Sequence, residues 1–282
     1  MPREPDPSVN EVELVHSCLR KGIRLDGRGI YDMRKVQLRF SDELGWVECR
    51  LGKTRVIAQV SAEVVKPLAD RPYEGFVNLT TEISPMASAV YEAGRASEDE
   101  VLMTRLLEKA LRRSNAVDRE ALCIVAGQKV WSLRVDVHFL DDEGNMLDCA
   151  SIAAMSALRH FRKPDVTVIG EEVTIHSMAE RVPVPLAIHH SPICLTFAFF
   201  GDDSLAVLDP THLESLLCTG TLTVALNSQS EICVLSKQGG APLPADDVMR
   251  AVMIGVERVR EVDEVVKAAL EKEKKRRVVE VR

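Results

Sequence analysis

At 282 residues, with 46% hydrophobic and 28% charged, the chain has an ordinary globular composition, enough for one large or two modest domains. Only 4% of residues are aromatic, which argues against a stacking platform for single-stranded bases, and a net charge of -7 provides no general basic field. Any contact with nucleic acid therefore needs a local patch. The start, MPREPDPSVNEVEL, has no apolar signal core and no run is long enough to span a bilayer, so a soluble intracellular protein with no membrane partner is expected.

Ser8 followed by Glu11 is a capping box, so a helix is predicted to begin there and to stop at Gly22. RLDGR (Arg24 to Arg28) is a turn built on Asp-Gly. Alternation then sets Val36, Leu38 and Phe40 on one face, and GWVECRLGKTRVIAQVSAEV makes two strands joined by a Gly-Lys turn. A further strand is predicted near Phe76 to Glu82. Ser97 and Glu100 open a second capped helix to about Ser114, with Met103, Leu106, Leu107, Ala110 and Leu111 on its apolar side. Strands near Leu122 to Val125 and Val130 to Leu140 lead into the stretch VDVHFLDDEGNMLDCASIAAMSAL. It reads as a strand, an acidic turn with one glycine, and a helix of small residues to about Phe161.

RVPVPLAIHHSPIC, with Pro183, Pro185 and Pro192, is predicted to be a semi-rigid connection. Strands follow near Ile193 to Phe200, Leu205 to Leu208, Thr221 to Leu226 and Ile232 to Leu235. A long helix with Val248, Val252, Val256, Val259 and Val266 on its apolar stripe closes the pattern. The end, EKEKKRRVVEVR, is expected to be a solvated tail. Two successive strand-rich units, each closed by a helix, suggest an internally duplicated α+β fold.

Several groups could carry chemistry. The seven cysteines (18, 49, 123, 149, 194, 218 and 233) stand singly, without metal or redox spacing, and are expected to be reduced packing residues. Asp136, Asp141, Asp142, Glu143 and Asp148 cluster around the acidic turn, yet they lack the alternating oxygen ligands of a calcium loop, and an acid before a helix is first of all a cap. A strand, a glycine turn and a helix start can also cradle a phosphate. Here Gly144 is followed by Asn145, Met146 and Leu147, which supply almost no donors. His189 and His190 have no carboxylate or cysteine at ligand spacing, and neither Cys149 nor Ser151 has an assigned base. No metal and no cofactor are expected. Arg105, Lys109 and Arg112, spaced by four and three, form a basic stripe with Arg113 and Arg95 nearby. Such a stripe is either a solvated face or a row of contacts to a phosphate backbone.

RLDGR after an N-terminal helix, GKTRVIAQV, EAGRASEDEVLMTRLLEKALRRS and GQKVWSLRVDVHFLDDEGNMLDCASIAAMSAL occur in order, and together the chain resembles the RNase PH-like subunits of the eukaryotic RNA exosome. IHHSPICLTFAFF followed by VLDPTHLESLL narrows the likeness to one subunit type. The resemblance covers nearly the whole chain, from about Val12 to Leu270.

The resemblance implies an α+β RNase PH-like fold, ribosomal protein S5 domain 2-like, of two β-α-β-α-type repeats. The expected division is an N-terminal helix and arm (1-22), a first half (23-182), a second half with the C-terminal helix (183-270) and a charged tail (271-282). It implies pairing with other RNase PH-like subunits into a heterodimer within a hexameric ring that threads single-stranded RNA. S1/KH cap subunits, a hydrolytic exosome nuclease, and a nuclear, nucleolar and cytoplasmic location are expected with it. Phosphorolytic members of the family hold phosphate with a Gly-Thr-Arg sequence at this turn; here Gly144 precedes Asn145, Met146 and Leu147. They also carry an aspartate followed by glutamate and a second aspartate; here these positions are Asp209, Glu214 and Ser215. The resemblance therefore implies no catalytic residues, with phosphate-dependent 3′-to-5′ exoribonuclease activity as the alternative. The family grips RNA from the arginine helix, which implies contact by Arg105 and Arg112, with Lys109, Arg113 and Arg95 beside them.

Overall fold

The computed structural model describes residues 7-92, 94-169, 172-177, 180-201 and 205-280. Helix α1 (Val9–Arg20) begins at the expected capping box, with the Ser8 amide 2.8 Å from Glu11 Oε2 and the Glu11 amide 3.3 Å from Ser8 Oγ. Strands β1 (Val36–Phe40), β2 (Trp46–Leu51) and β3 (Thr54–Val65) form an antiparallel meander. β4 (Phe76–Ile83) leads through α2 (Glu98–Glu108), a π-helical turn over Lys109–Arg113 and β5 (Cys123–Val125) to β6 (Lys129–Asp141). β6 pairs antiparallel with β3 and parallel with β4, giving the order β1-β2-β3-β6-β4 with β5 hydrogen-bonded to β6.

Helix α3 (Met146–His160) follows β6, and from Leu147 to Leu158 every side chain is buried. Its small residues explain this. Alanines and serines let a helix be covered on both sides, and α3 packs on β2, β3 and β6 of the first sheet and on β11 of the second. After it come β7 (Arg162–Lys163), the hairpin of β8 (Val166–Ile169) and β9 (Glu172–Ile175), and β10 (Val184–Pro185), which pairs with β7. The second sheet contains β11 (Ile193–Phe200), β12 (Leu205–Leu208), β13 (Gly220–Leu226) and β14 (Ile232–Gly239), all antiparallel in the order β12-β11-β13-β14. A short helix, α4 (His212–Leu217), joins β12 to β13, and α5 (Ala245–Glu280) closes the chain.

Two features depart from expectation. The charged end is no solvated tail, because α5 runs to Glu280. Its charges are matched: Glu273, nearly buried, accepts from Arg276 and Arg277 at 3.1 Å each, one turn further on. Arg277 Nη2 also reaches Ser41 O at 2.6 Å, and Arg276 Nη2 reaches Asp42 Oδ1 at 3.0 Å. The second is the N-terminal helix. α1 buries Val15 and Leu19 against Ala198, Phe200 and Val207, so the first element of the chain lies on the second sheet.

Candidate functional site

The glycine turn between β6 and α3 sits against the junction of β12 and α4. Gly144 has φ +88°, and a Cβ there would come within 2.4 Å of the His212 nitrogen and the Thr211 carbonyl carbon, so only glycine fits. Asn145 follows with φ +52°. Its side chain does not cap the helix. Instead Nδ2 donates to Asp148 Oδ2 at 2.8 Å and to Asp209 Oδ1 at 2.7 Å, while Oδ1 is buried and has no hydrogen-bond partner. Because both neighbours are acceptors, the amide cannot be turned round.

Asp209 is fully buried. Besides Asn145 it accepts from Arg28 Nη1 at 2.7 Å, and from Arg34 through its amide (2.8 Å), Nε (3.0 Å) and Nη2 (2.8 Å). Burial pushes its carboxyl up, but hydrogen bonds and charge from Arg34, aided by Asn145, more than offset this and hold it below the usual carboxylate range. Asp148 lacks a cation. Burial drives its carboxyl up to about 7, against lowering by Asn145 and Thr196, with the neighbouring Asp209 charge adding to the rise. Both acids face inward and all their bonds are structural.

Three arginines that sequence patterns did not single out form the back of this site. Arg34 also donates to Glu143 O at 3.0 Å and Gly144 O at 2.9 Å, and Thr54 Oγ1 donates to Gly144 O at 2.8 Å. Arg24, buried, donates from Nε to Glu214 Oε1 at 3.0 Å, from Nη1 to Leu208 O at 2.8 Å and from Nη2 to Asp209 O at 2.9 Å, and its Nη2 pairs with Glu214 Oε2. Glu214 in turn closes a capping box with Thr211, the one local signal that could have revealed α4.

In front of the turn lies a cleft of about 620 Å³, walled by α2, the turn and the start of α4. Gly144, Asn145, Met146, Leu147 and Ser215 all line it, as does Arg95; Asp209 does not. Its charged lining is otherwise acidic, with Glu92, Glu98, Asp99 and Asp142. The first turn of α2, which would attract an anion, is thus covered by its own carboxylates. Arg105, Lys109, Arg112 and Arg113 do not join this cleft. They are exposed on α2 and its π turn, while Met103, Leu106, Leu107, Ala110 and Leu111 are buried as the periodicity required. Arg112 pairs with Glu108 at 2.7 Å and borders a small recess with Arg71 and Arg119. Among the described residues no group of three or more His, Cys, Asp or Glu converges as a metal site. The thiols of Cys149 and Cys194 are pushed up by burial, which leaves them protonated and unreactive.

Residues 32–164 match the first domain, and residues 190–258 the second, of the 3′ exoribonuclease family called RNase PH. The chain belongs to the RNase PH family. Within it, the chain is 45% identical over 273 residues to the exosome complex component rrp45 of Schizosaccharomyces pombe, covering 97% of this chain and 94% of that one. It is 46% identical over 252 residues to the human exosome complex component RRP45, covering 89% of this chain but only 57% of the human protein. Against solved RNase PH-type structures, an Archaeoglobus fulgidus exosome with RNA bound to the active site superposes with a TM-score of 0.78 at 28% identity, over 90% of this chain and 97% of that one. An archaeal exosome core gives 0.74 at 26% identity, over 92% and 96% of the two chains. The α+β RNase PH fold expected from the sequence is the fold observed.

Proposed function

We propose that the chain is a ring subunit of the RNA exosome that supplies architecture and RNA contact and does not carry out phosphorolysis. The observation that carries this is Asn145. At the turn where a phosphate would need donors, its only side-chain donor group is committed to Asp148 and Asp209. Met146 and Leu147 add no side-chain donor, and the charged residues of the surrounding cleft other than Arg95 are acidic. Asp209, the acid that a phosphorolytic reading would need, is sealed behind two guanidinium groups. The relatives named as exosome components, and the archaeal exosome structures, support the ring assignment.

In this proposal the partners are other RNase PH-like subunits in a hexameric ring, with S1/KH cap subunits, a hydrolytic nuclease and single-stranded RNA, in nucleus, nucleolus and cytoplasm. RNA contact is assigned to the exposed Arg105, Lys109, Arg112 and Arg113, with Arg95 at the cleft. The test has two arms. Purified chain given poly(A) and inorganic phosphate should release no nucleoside diphosphate, and co-expression with other RNase PH-like subunits should yield a heterodimer and then a ring. Diphosphate release that co-purifies with the chain would overturn the inert assignment, and a chain that stays monomeric beside every such subunit would overturn the architectural one.

A further inference from the structure

A second cavity shares no residue with the acidic cleft. It is a groove of about 1180 Å³ between the C-terminal half of α5 and the connection that carries β10. One wall is apolar, with Val182, Pro183, Pro185, Leu186, Ile188 and Leu270. Val182 is 86% exposed, which is much for an isolated valine beside so many apolar neighbours.

The other wall carries Arg159, Arg162, Lys267, Lys274 and Arg277 against Asp42, Glu271 and Glu273, so its charges do not balance. Arg159 and Lys267 share Asp263 at 2.8 and 2.7 Å. Arg276 and Arg277 share Glu273, and Arg276 also takes Asp42. Arg162 and Lys274 remain with no carboxylate among the described residues. Arg162, half-buried, donates only to the carbonyls of Arg159 and Phe161, both at 2.8 Å. Burial and the nearby Arg277 both weaken its hold on its proton.

His160 registers the same excess of positive charge. Gly45 N lies 3.1 Å from its Nδ1 and Arg277 Nη2 lies 3.2 Å from its Nε2. A neutral imidazole has one acceptor nitrogen, so one of these donors faces an N–H. Burial first, then Arg277, Arg162 and Arg276, press the ring down to about 4.

We propose that this groove is the docking site for an acidic segment of a protein partner, its carboxylates meeting Arg162 and Lys274 and its apolar side chains lying on the Val182–Ile188 wall. Arg162 is half-buried without a counter-ion, which is costly, and an incoming carboxylate removes that cost, while the exposed Lys274 adds attraction at the rim. The volume exceeds a typical small-molecule pocket and suits several residues of extended chain. A nucleic-acid backbone would satisfy the charges but would leave the apolar wall wet.

A library of random displayed peptides, selected on the whole chain, tests this with no prior choice of sequence. Enriched peptides should combine Asp or Glu with bulky apolar residues. A synthetic copy of the best one should bind at least about tenfold more tightly than its Gln/Asn analogue, and the double variant Arg162→Gln/Lys274→Glu should lose about as much. Binding should also raise the pKa of His160 measured by NMR, a response that loss of folding would not mimic. Enrichment of basic or uncharged peptides, equal binding of the neutral analogue, or an unmoved His160 overturns the proposal. So does an oligonucleotide that outcompetes the peptide through Arg162 and Lys274.

Discussion

One side-chain amide, that of Asn145, holds two carboxylates: its Nδ2 is 2.8 Å from Asp148 Oδ2 and 2.7 Å from Asp209 Oδ1. The two acids share this donor and differ in everything else. Asp209 has Arg28 and Arg34 and stays ionised, whereas Asp148 has only Asn145 and Thr196 and is raised to about 7. Environments that push a pair of carboxyls apart often mark acid-base catalysis. Here both acids are walled in, and the pair is a fastening between α3 and the second sheet.

Removing the shared donor by Asn145→Ala leaves the two carboxylates facing each other across a void. A loss of about 2 kcal/mol in urea unfolding is expected near pH 8. The loss should be smaller near pH 5, where Asp148 holds a proton and repulsion is relieved. Equal losses at the two pH values contradict the shared-donor role.

Asp148→Asn tests the raised carboxyl directly. The folded protein keeps a proton on Asp148 up to about 7, while the unfolded chain releases it near the ordinary value of 3.8. Between these values the native state binds more protons, so this group's contribution to stability falls as pH rises and is least above 7. An asparagine can keep its carbonyl oxygen as the acceptor for Asn145 Nδ2 and Thr196 N, and its amide, set where Oδ1 now accepts from Thr196 Oγ1, never charges. The variant should gain on the parent by about 1 kcal/mol or more as pH is raised from about 5 to about 8. A stability difference that does not change with pH rejects this.

The Arg24–Glu214 pair is buried at both ends. Arg24→Met removes the cation that faces the buried Glu214 carboxylate, together with a donor to Leu208 O, and should cost about 3–5 kcal/mol. The double change Arg24→Met/Glu214→Leu should restore a large part, since it leaves no unpaired charge. Thermal unfolding of the three proteins forms the cycle, and an additive result would show that the pair is not coupled.

On the basic side of α2, Arg105→Ala and Lys109→Ala should each weaken RNA binding by the assembled ring. Each should also lower the slope of log affinity against log salt by about 0.7, as expected for one lost contact with a single strand. Arg112 is already paired with Glu108, so Arg112→Ala should have a smaller effect. An unchanged salt slope in the Arg105 and Lys109 variants would mean that this side of α2 is only a solvated surface.

What could be read from the sequence was local. Alternation located β1 to β3; β11 to β13 fall where strands were expected although β11 is buried at every position, and the buried side of α2 follows the spacing of Met103, Leu106 and Leu107. The glycine turn was legible because Gly144 stands between a strand and a helix of small residues. What was not legible depends on distant partners. RLDGR looked like a turn, yet Arg24 finds Glu214 190 positions away and Arg34 finds Asp209 175 positions away. No spacing within the N-terminal arm announces such partners. The end of α5 failed differently. Charge density suggested solvation, but the pairs from Glu273 to Arg276 and Arg277 are a helix signal, and their anchor at Ser41 lies in the first half.

The arm between Arg24 and Arg34 also sets an order of events during synthesis. Arg24 and Arg34 leave the ribosome early, but the carboxylates they bind are made only when the chain has reached Asp209 and Glu214, whereas Arg28 also has Asp26 beside it. Until then Arg34 holds the glycine turn without its own carboxylate, and α1 has no sheet to lie on. The long loop must close late. A ribosome stalled before Glu214 therefore displays a nascent chain whose guanidinium groups remain open to any passing anion, including the RNA around it.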